Sequence, residues 1–317
     1  MQVGFIGLGT MGALMAANLQ KAGHRLTVYD LRKEAAKGHL AAGAVWAATP
    51  REVAAASEVV FTSLPGPPEV EASALGPDGI LAGMRPDAAY FDLSTNSRAV
   101  VQKLGAAFAD KGAHMLDAPV SGGPRGAATR KLALWIGGDK GAFERFKPVL
   151  EDIGDQVRYI GPSGHATVAK LVHNCSGYAI NAALAETFTM GIKAGVDPLV
   201  LFEAVRQGAV GRRRTFDALI DQFLPGTYDP PAFALRLAHK DVSLAVALGR
   251  EVSVPMRLCN LTLEEMTEAL NRDWAQRDSR VAMLLQQERA GVKVAVERER
   301  LRKSLAADTS TTTDFSK

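Results

Sequence analysis

One short stretch constrains this chain more than any other: Gly7-Leu8-Gly9-Thr10-Met11-Gly12, a G-x-G-x-x-G close to the first residue. The string alone is weak evidence. Here the apolar run Val3–Ile6 leads straight into it, and an Ala-rich segment of helical length, Met11–Ala22, follows. A predicted strand that turns into a helix through three glycines is the phosphate turn of a dinucleotide-binding βαβ unit. Gly7 then permits the tight turn, Gly9 lets the backbone approach a pyrophosphate, and Gly12 lets helix and strand pack closely. The whole turn, with Leu8, Thr10 and Met11, offers backbone N–H groups and a positive helix end to phosphates. Asp30 ends the next predicted strand, 23 positions after Gly7. Its carboxylate suits the adenosine ribose hydroxyls and repels a 2′-phosphate, which favours NAD. Arg32 stands two residues on and can pair a 2′-phosphate, so NADP stays open.

The rest of the first half repeats the alternation. Candidate strands are Val3–Ile6, Leu26–Tyr29, Val59–Ser63, Ala89–Asp92, His114–Ala118, Leu132–Ile136 and Val157–Ile160, with helical stretches such as Pro50–Ala56 between them. This predicts an α/β Rossmann domain, a doubly wound parallel sheet, over residues 1–163. The pattern changes after Gly161-Pro162-Ser163-Gly164. Residues 164–300 read as an all-α domain, opened by a proline-free helix over 165–193. At 1.5 Å per residue that helix is roughly 43 Å long, and it is expected to join the domains and lie buried. Asp197-Pro198 reads as the next helix start. Residues 301–317 read as a flexible tail.

Composition excludes several classes. The 317 residues carry 37 Lys+Arg against 34 Asp+Glu, a net charge of +3 with no concentrated basic patch, so no nucleic-acid partner is expected. Apolar residues make up 47 %, against long-range disorder. The two cysteines, Cys175 and Cys259, read as free thiols in a reducing, cytoplasmic setting. Neither a signal-peptide pattern nor an apolar run of about 18 residues is seen, so no membrane association is expected.

Several segments recur in a familiar order. Phe5-Ile6-Gly7 through Gly12 continues into Met15-Ala16-Ala17-Asn18-Leu19, and Asp117-Ala118-Pro119-Val120-Ser121-Gly122-Gly123 runs on to Gly126-Ala127. Gly161-Pro162-Ser163-Gly164 follows with Lys170 and Asn174, then Lys240-Asp241 with Leu244-Ala245. Over about residues 1–290 this resembles the β-hydroxyacid dehydrogenase family, the 3-hydroxyisobutyrate dehydrogenase-like enzymes. The resemblance implies a Rossmann domain, a helical domain and an active site in the cleft between them. It implies reversible NAD(P)-linked oxidation of a small 3-hydroxyacid, or reduction of the matching semialdehyde or keto acid, in a homodimer or homotetramer. The chain departs from the family pattern at His165-Ala166, at Arg98 and at Gly211-Arg212-Arg213-Arg214-Thr215-Phe216, which leaves the substrate open.

Hydride transfer from an alcohol needs a group that takes the hydroxyl proton. Lys170 is the candidate: it lies on an apolar helix where an idle ammonium is costly, although a snorkelling lysine would look the same. Asn174 lies four residues on, on the same helix face, and can orient the amine or the hydroxyl. His173 is a rival base, read as a packed helix histidine. In the resembled family the lysine matching Lys240 lies near nicotinamide and substrate. Asp241 reads equally as a structural partner or a ligand contact. Ser121, Gly122 and Gly123 offer a hydroxyl and unshielded N–H groups for a substrate carboxylate. Leu64, Pro65, Ser94 and Thr95 follow strands at the ends where doubly wound sheets bind ligands, and read as cofactor contacts. Arg212, Arg213 and Arg214 mostly read as a solvated helix end, with a second substrate acid group as the sharper use for one of them or for Arg125. The six histidines show no metal-ligand spacing, so no metal is expected. The alternatives are a catalytically silent relative, which would lack the lysine, and an imine reductase, which carries Asp or Tyr there.

Overall fold

The computed structural model describes residues 1–193, 195–208, 217, 219–251 and 257–306. They form two compact units, Met1–His173 and one that starts at Asn174. The first holds the strands β1 (Gln2–Ile6), β2 (Arg25–Tyr29), β3 (Val45–Trp46), β4 (Val59–Thr62), β5 (Ala89–Asp92), β6 (His114–Asp117), β7 (Val120–Ser121), β8 (Ala133–Gly137) and β9 (Gln156–Gly161). Its helices are α1 (Gly12–Lys21), α2 (Lys37–Ala41), α3 (Pro50–Ala55), α4 (Pro67–Leu75), α5 (Ile80–Gly83), α6 (Arg98–Asp110), α7 (Gly123–Thr129) and α8 (Lys140–Glu151). Helix α9 (His165–Lys193) runs from the first unit into the second, which continues with α10 (Pro198–Gln207), α11 (Leu235–Glu251), α12 (Arg257–Leu270), α13 (Met283–Ala290) and α14 (Arg298–Ala306).

The strands form one sheet in the order β3-β2-β1-β4-β5-β6-β8-β7, with β9 beside β8. From β3 to β6 this is the 3-2-1-4-5-6 order of a Rossmann sheet, so the chain reverses direction between β1 and β4. The sheet is parallel as far as β6. The doubly wound parallel sheet is thus present, and beyond it β8 runs antiparallel to β6 and β7 and parallel to β9. Only residues 122–132 separate β7 from β8, too few for the crossover of a dozen or more residues that parallel neighbours need.

Both faces of the sheet are covered, which is why its strands read as apolar runs rather than as alternating ones. Val59 and Phe61 pack into a cluster with Phe5, Phe91 and Phe146, while Val60 on the other face packs with Tyr90, Val101 and Phe108. Phe5, Phe61 and Phe91 are register partners across β1, β4 and β5, and their rings lie 6.2 and 5.6 Å apart. All three are fully buried, and each such side chain contributes about 2–3 kcal/mol.

Among the described residues the second unit has two apolar clusters, one built on Phe202, Phe223 and Leu224, the other on Tyr228, Val242 and Leu285. Asp197 starts α10 as expected: its Oδ1 accepts the N–H groups of Leu199 and Val200 at 2.9 and 3.1 Å. Two expectations need correction here. The tail does not begin at Leu301: Arg298–Ala306 is helical, and Leu301 is 4 % exposed because it seats in the first of these clusters. Helix α9 has the expected length but is not buried all round, with Val172 59 % and Ile180 42 % exposed. Cys175 and Cys259, 84 positions apart, are free thiols whose sulfurs lie 2.9 Å from each other. Burial and the neighbouring sulfur push the Cys175 thiol up to about 12. No described helix is long and apolar enough to cross a membrane.

Candidate active site

The glycine turn leaves the carboxyl end of β1, at the point where the sheet order reverses. Its three glycines separate by what surrounds them. Gly7 has φ +90°, and a Cβ there would stand 2.3 Å from the Ser63 carbonyl oxygen. A Cβ at Gly12 would stand 1.9 Å from the Gly7 carbonyl oxygen, so close helix–strand packing requires glycine. A Cβ at Gly9 would meet no protein atom within 4 Å, so the protein's own packing does not explain that glycine. An open approach to backbone at the head of α1 is what a dinucleotide phosphate needs, and α1 has no side-chain cap on its N–H groups. Thr10 is exposed, Met11 is half-buried and Leu8 is buried.

Asp30 follows β2 and is built into this turn. Its Oδ2 accepts the Leu8 N–H at 2.7 Å and its Oδ1 accepts the Arg32 N–H at 2.8 Å. Its side chain is 11 % exposed, while the Arg32 side chain is 75 % exposed. Each oxygen keeps a lone pair for a ribose hydroxyl. Leu64 and Ser94 prove to be one structural feature: the Ser94 hydroxyl accepts the Leu64 N–H at 2.9 Å. Ser94 is buried, so its hydroxyl orders the Leu64–Pro65 turn, and Pro65 and Thr95 are the more open members.

Asp92, which the sequence reading gave no role, sits beneath that turn. Its Oδ1 accepts from Thr62 and from the Ser94 N–H, and its Oδ2 accepts from Asn96 at 2.8 Å. Burial raises its pKa against the opposing effect of those hydrogen bonds.

The start of α9 explains how Lys170 is placed. Gly164 precedes the helix and has no side chain to cap it. The missing acceptor comes from Asp117, at the end of β6. Its Oδ1 accepts the Gly164 N–H at 2.9 Å, and its Oδ2 accepts the Thr167 N–H and hydroxyl at 2.7 and 2.9 Å. Asp117 is 1 % exposed, so a buried carboxylate holds the positive end of the helix against the sheet. The sequence signal was a helix starting with Gly-His in place of a capping residue, but its partner lies too far along the chain to be read.

A second tie joins α9 to the Ser121 turn: Ser121 Oγ and His173 Nε2 are 3.0 Å apart. His173 is therefore not the packed helix histidine that the sequence suggested. It is exposed, and its ring lies 5.3 Å from that of Trp135. The protein packed around it, and then the Lys170 charge, hold its pKa below the usual value. Ser121, His173 and Lys170 thus share one neighbourhood, with Lys170 partly buried on α9. Gly122 and Gly123 have φ 135° and 61°, a backbone that side chains resist. Arg125 is exposed on α7. His165 packs over Gly161, where a Cβ would stand 2.6 Å from its Nδ1.

In the second unit Asn174, Lys240 and Asp241 form a cluster. Asn174 Nδ2 donates to Asp241 Oδ2 at 2.6 Å, and Lys240 Nζ lies 3.0 Å from Asp241 Oδ1. Asp241 is 1 % exposed and lies against both residues. Because the amide nitrogen faces Asp241, the Asn174 oxygen is the atom left to accept elsewhere. Arg212, Arg213 and Arg214 lie outside the described residues. Among the described residues no group of His, Cys, Asp and Glu could hold a metal ion.

The chain is similar in sequence and fold to known proteins. Residues 2–161 match the NAD binding domain of 6-phosphogluconate dehydrogenase, and residues 164–285 match the NAD-binding domain of NADP-dependent 3-hydroxyisobutyrate dehydrogenase. A 3-hydroxyisobutyrate dehydrogenase of Pseudomonas aeruginosa is 37 % identical over 255 residues, 79 % of this chain and 86 % of that protein. An NAD-dependent L-serine dehydrogenase of the same organism is 36 % identical over 294 residues, 90 % of this chain and 97 % of that one. The solved Mycobacterium tuberculosis 3-hydroxyisobutyrate dehydrogenase with L-serine superposes with a TM-score of 0.79 at 29 % identity, covering 90 % of this chain and 98 % of that one. An imine reductase of Bacillus cereus shares the fold at 20 % identity, a TM-score of 0.59, and 90 % and 98 % coverage. The chain belongs to the β-hydroxyacid dehydrogenase family. It is an NAD(P)-dependent oxidoreductase of that family.

Proposed function

We propose that this chain oxidises a small 3-hydroxyacid, or reduces the matching semialdehyde or keto acid, with Lys170 as general acid/base. The observation that carries the reading is the convergence on α9: two ties, from Asp117 and from Ser121, fix the stretch of helix that bears Lys170. NAD(P), held along Gly7–Gly12, Asp30 and the Leu64–Pro65 and Ser94–Thr95 turns, supplies the hydride acceptor in oxidation and the hydride donor in reduction. Ser121, Gly122 and Gly123 bind the substrate carboxylate through donors that neutralise it without a counter-charge. The Lys170 amine takes the hydroxyl proton as the carbon loses hydride, and returns it to the oxygen in the reverse direction. Asn174, one helical turn on, steadies the amine or the hydroxyl through its side-chain oxygen. Lys240 is proposed as a contact to both substrate and cofactor.

Initial rates with NAD and NADP across 3-hydroxyacids (hydroxyisobutyrate, glycerate, threonate, serine and sulfonated analogues) test this. At least one acid should reduce the cofactor; failure of all of them with both cofactors contradicts the reading. The same assay tests Asp30. NAD should be the better cofactor, and Asp30→Asn should narrow the NAD-to-NADP ratio of kcat/KM by about tenfold, because the charge that repels a 2′-phosphate is gone. The asparagine keeps one acceptor oxygen for the Leu8 N–H and turns its amide toward the Arg32 N–H, so the ratio of the two cofactors rather than either affinity alone is the readout. A wild-type preference for NADP contradicts the assignment.

A further inference from the structure

The 3.0 Å contact between Ser121 Oγ and His173 Nε2 has a consequence for what Ser121 can offer a substrate. A serine hydroxyl has one proton, and a neutral imidazole has one N–H and one acceptor nitrogen. Packing around the ring and the Lys170 charge disfavour the imidazolium, so the neutral forms decide the matter. If Nε2 is the acceptor, it takes the Ser121 proton and the hydroxyl presents only lone pairs. An ionised carboxylate is acceptor-only and is repelled by such a group. If Nε2 carries the proton, the ring donates to Ser121 Oγ and the Ser121 O–H is left to donate outward.

We propose that His173 is a positioning residue which, with its proton on Nε2, turns the Ser121 hydroxyl into a donor aimed at the acid group of the substrate. This rests on the reading of Ser121 as a carboxylate contact and deepens it. The donors then form one chain, from Nε2–H to Oγ–H to carboxylate, in which each bond polarises the next. Trp135 lies beside the imidazole, with ring centroids 5.3 Å apart and planes at 60°, and limits how the imidazole can turn. His173 thereby contributes to selection of acidic over neutral alcohols without touching the reacting carbon or the transferred proton.

Two measurements test the assignment. Long-range 1H–15N correlation spectra of the histidine-labelled chain, with His173 identified by its loss in His173→Phe, should show a neutral ring protonated on Nε2 at pH 7. A ring protonated on Nδ1, or on both nitrogens, overturns the proposal. In kinetics, His173→Phe keeps an aromatic ring beside Trp135 but removes the donor. It should raise the KM for the acid about tenfold, the size of one hydrogen bond to a charged group, with kcat within about twofold. His173→Gln, whose amide N–H takes the place of Nε2–H, should recover most of that loss, and stands as the test should the phenylalanine variant fold poorly. In a Ser121→Ala background His173→Phe should change KM by less than about twofold, because the shared interaction is already gone. An unmoved KM, or effects that add fully, overturns the proposal. A wild-type chain that turns over no hydroxyacid defeats the functional reading as well; normal turnover with an unmoved KM in the variant defeats this one alone.

Discussion

Lys170→Ala should lower turnover by about 10²–10⁴-fold, the range supplied by a positioned proton-transfer group, and leave the affinity for NAD(P) within about twofold. The two effects separate because they live on different parts of the first unit. The glycine turn rests on Gly7, Gly12 and Asp30, whose contacts lie with β1, β2 and the loop after β4. Lys170 is held by α9, which meets the sheet at the end of β6. Removing the amine should therefore remove the proposed proton acceptor and leave the cradle intact. Cofactor titration followed by fluorescence, beside steady-state rates on the best hydroxyacid, checks both halves. Turnover within tenfold of wild type removes Lys170 as the acid/base, and a parallel loss of cofactor affinity shows that it acts by holding the fold.

The second large effect is on stability. Asp117→Ala deletes the only carboxylate described at the start of α9 and strands three buried donors: the N–H groups of Gly164 and Thr167 and the Thr167 hydroxyl. Losing a helix cap and leaving buried donors unpaired should together cost about 3 kcal/mol. At the few degrees per kcal/mol of domains this size, that is a fall in Tm of roughly 6–12 °C. Asp117→Asn keeps one acceptor oxygen but turns an N–H₂ group toward donors, so it should fall between the alanine variant and wild type. Calorimetry on the three proteins gives the order. An alanine variant that melts within about 2 °C of wild type would show that water replaces the carboxylate without penalty. Because α9 carries Lys170, the same variants should lose turnover out of proportion to cofactor affinity.

The strands and the glycine turn were legible for a physical reason. Parallel strands covered on both faces must be apolar throughout, so Val59–Thr62 and Ala89–Asp92 stand out from the polar helices between them. β3 and β7 were not legible, because Val45–Trp46 and Val120–Ser121 are two residues each and two residues carry no period. Strand direction leaves no trace in an apolar run either, so the antiparallel placement of β8 is seen only in the structure. At the candidate site, residue types with an intrinsic chemistry could be named from the sequence: Lys170, Asn174, Ser121 and Asp30 each stand out by type and by their place at a predicted turn or helix. What escaped was pairing across the chain. Asp117 with Thr167, and Ser121 with His173, stand 50 and 52 positions apart, and nothing local in either segment announces its partner. Cys175 and Cys259 escaped for the same reason.

In the proposed reaction the amine of Lys170 reaches the hydroxyl of a substrate whose acid group is held by Ser121. A crystal structure of the chain with NAD(P) and an unreactive 3-hydroxyacid analogue measures that distance directly. The Lys170 amine should stand within about 3 Å of the analogue's hydroxyl oxygen, with the carboxylate on the Ser121 turn. An amine turned to bulk water, with cofactor and analogue both in place, would contradict it.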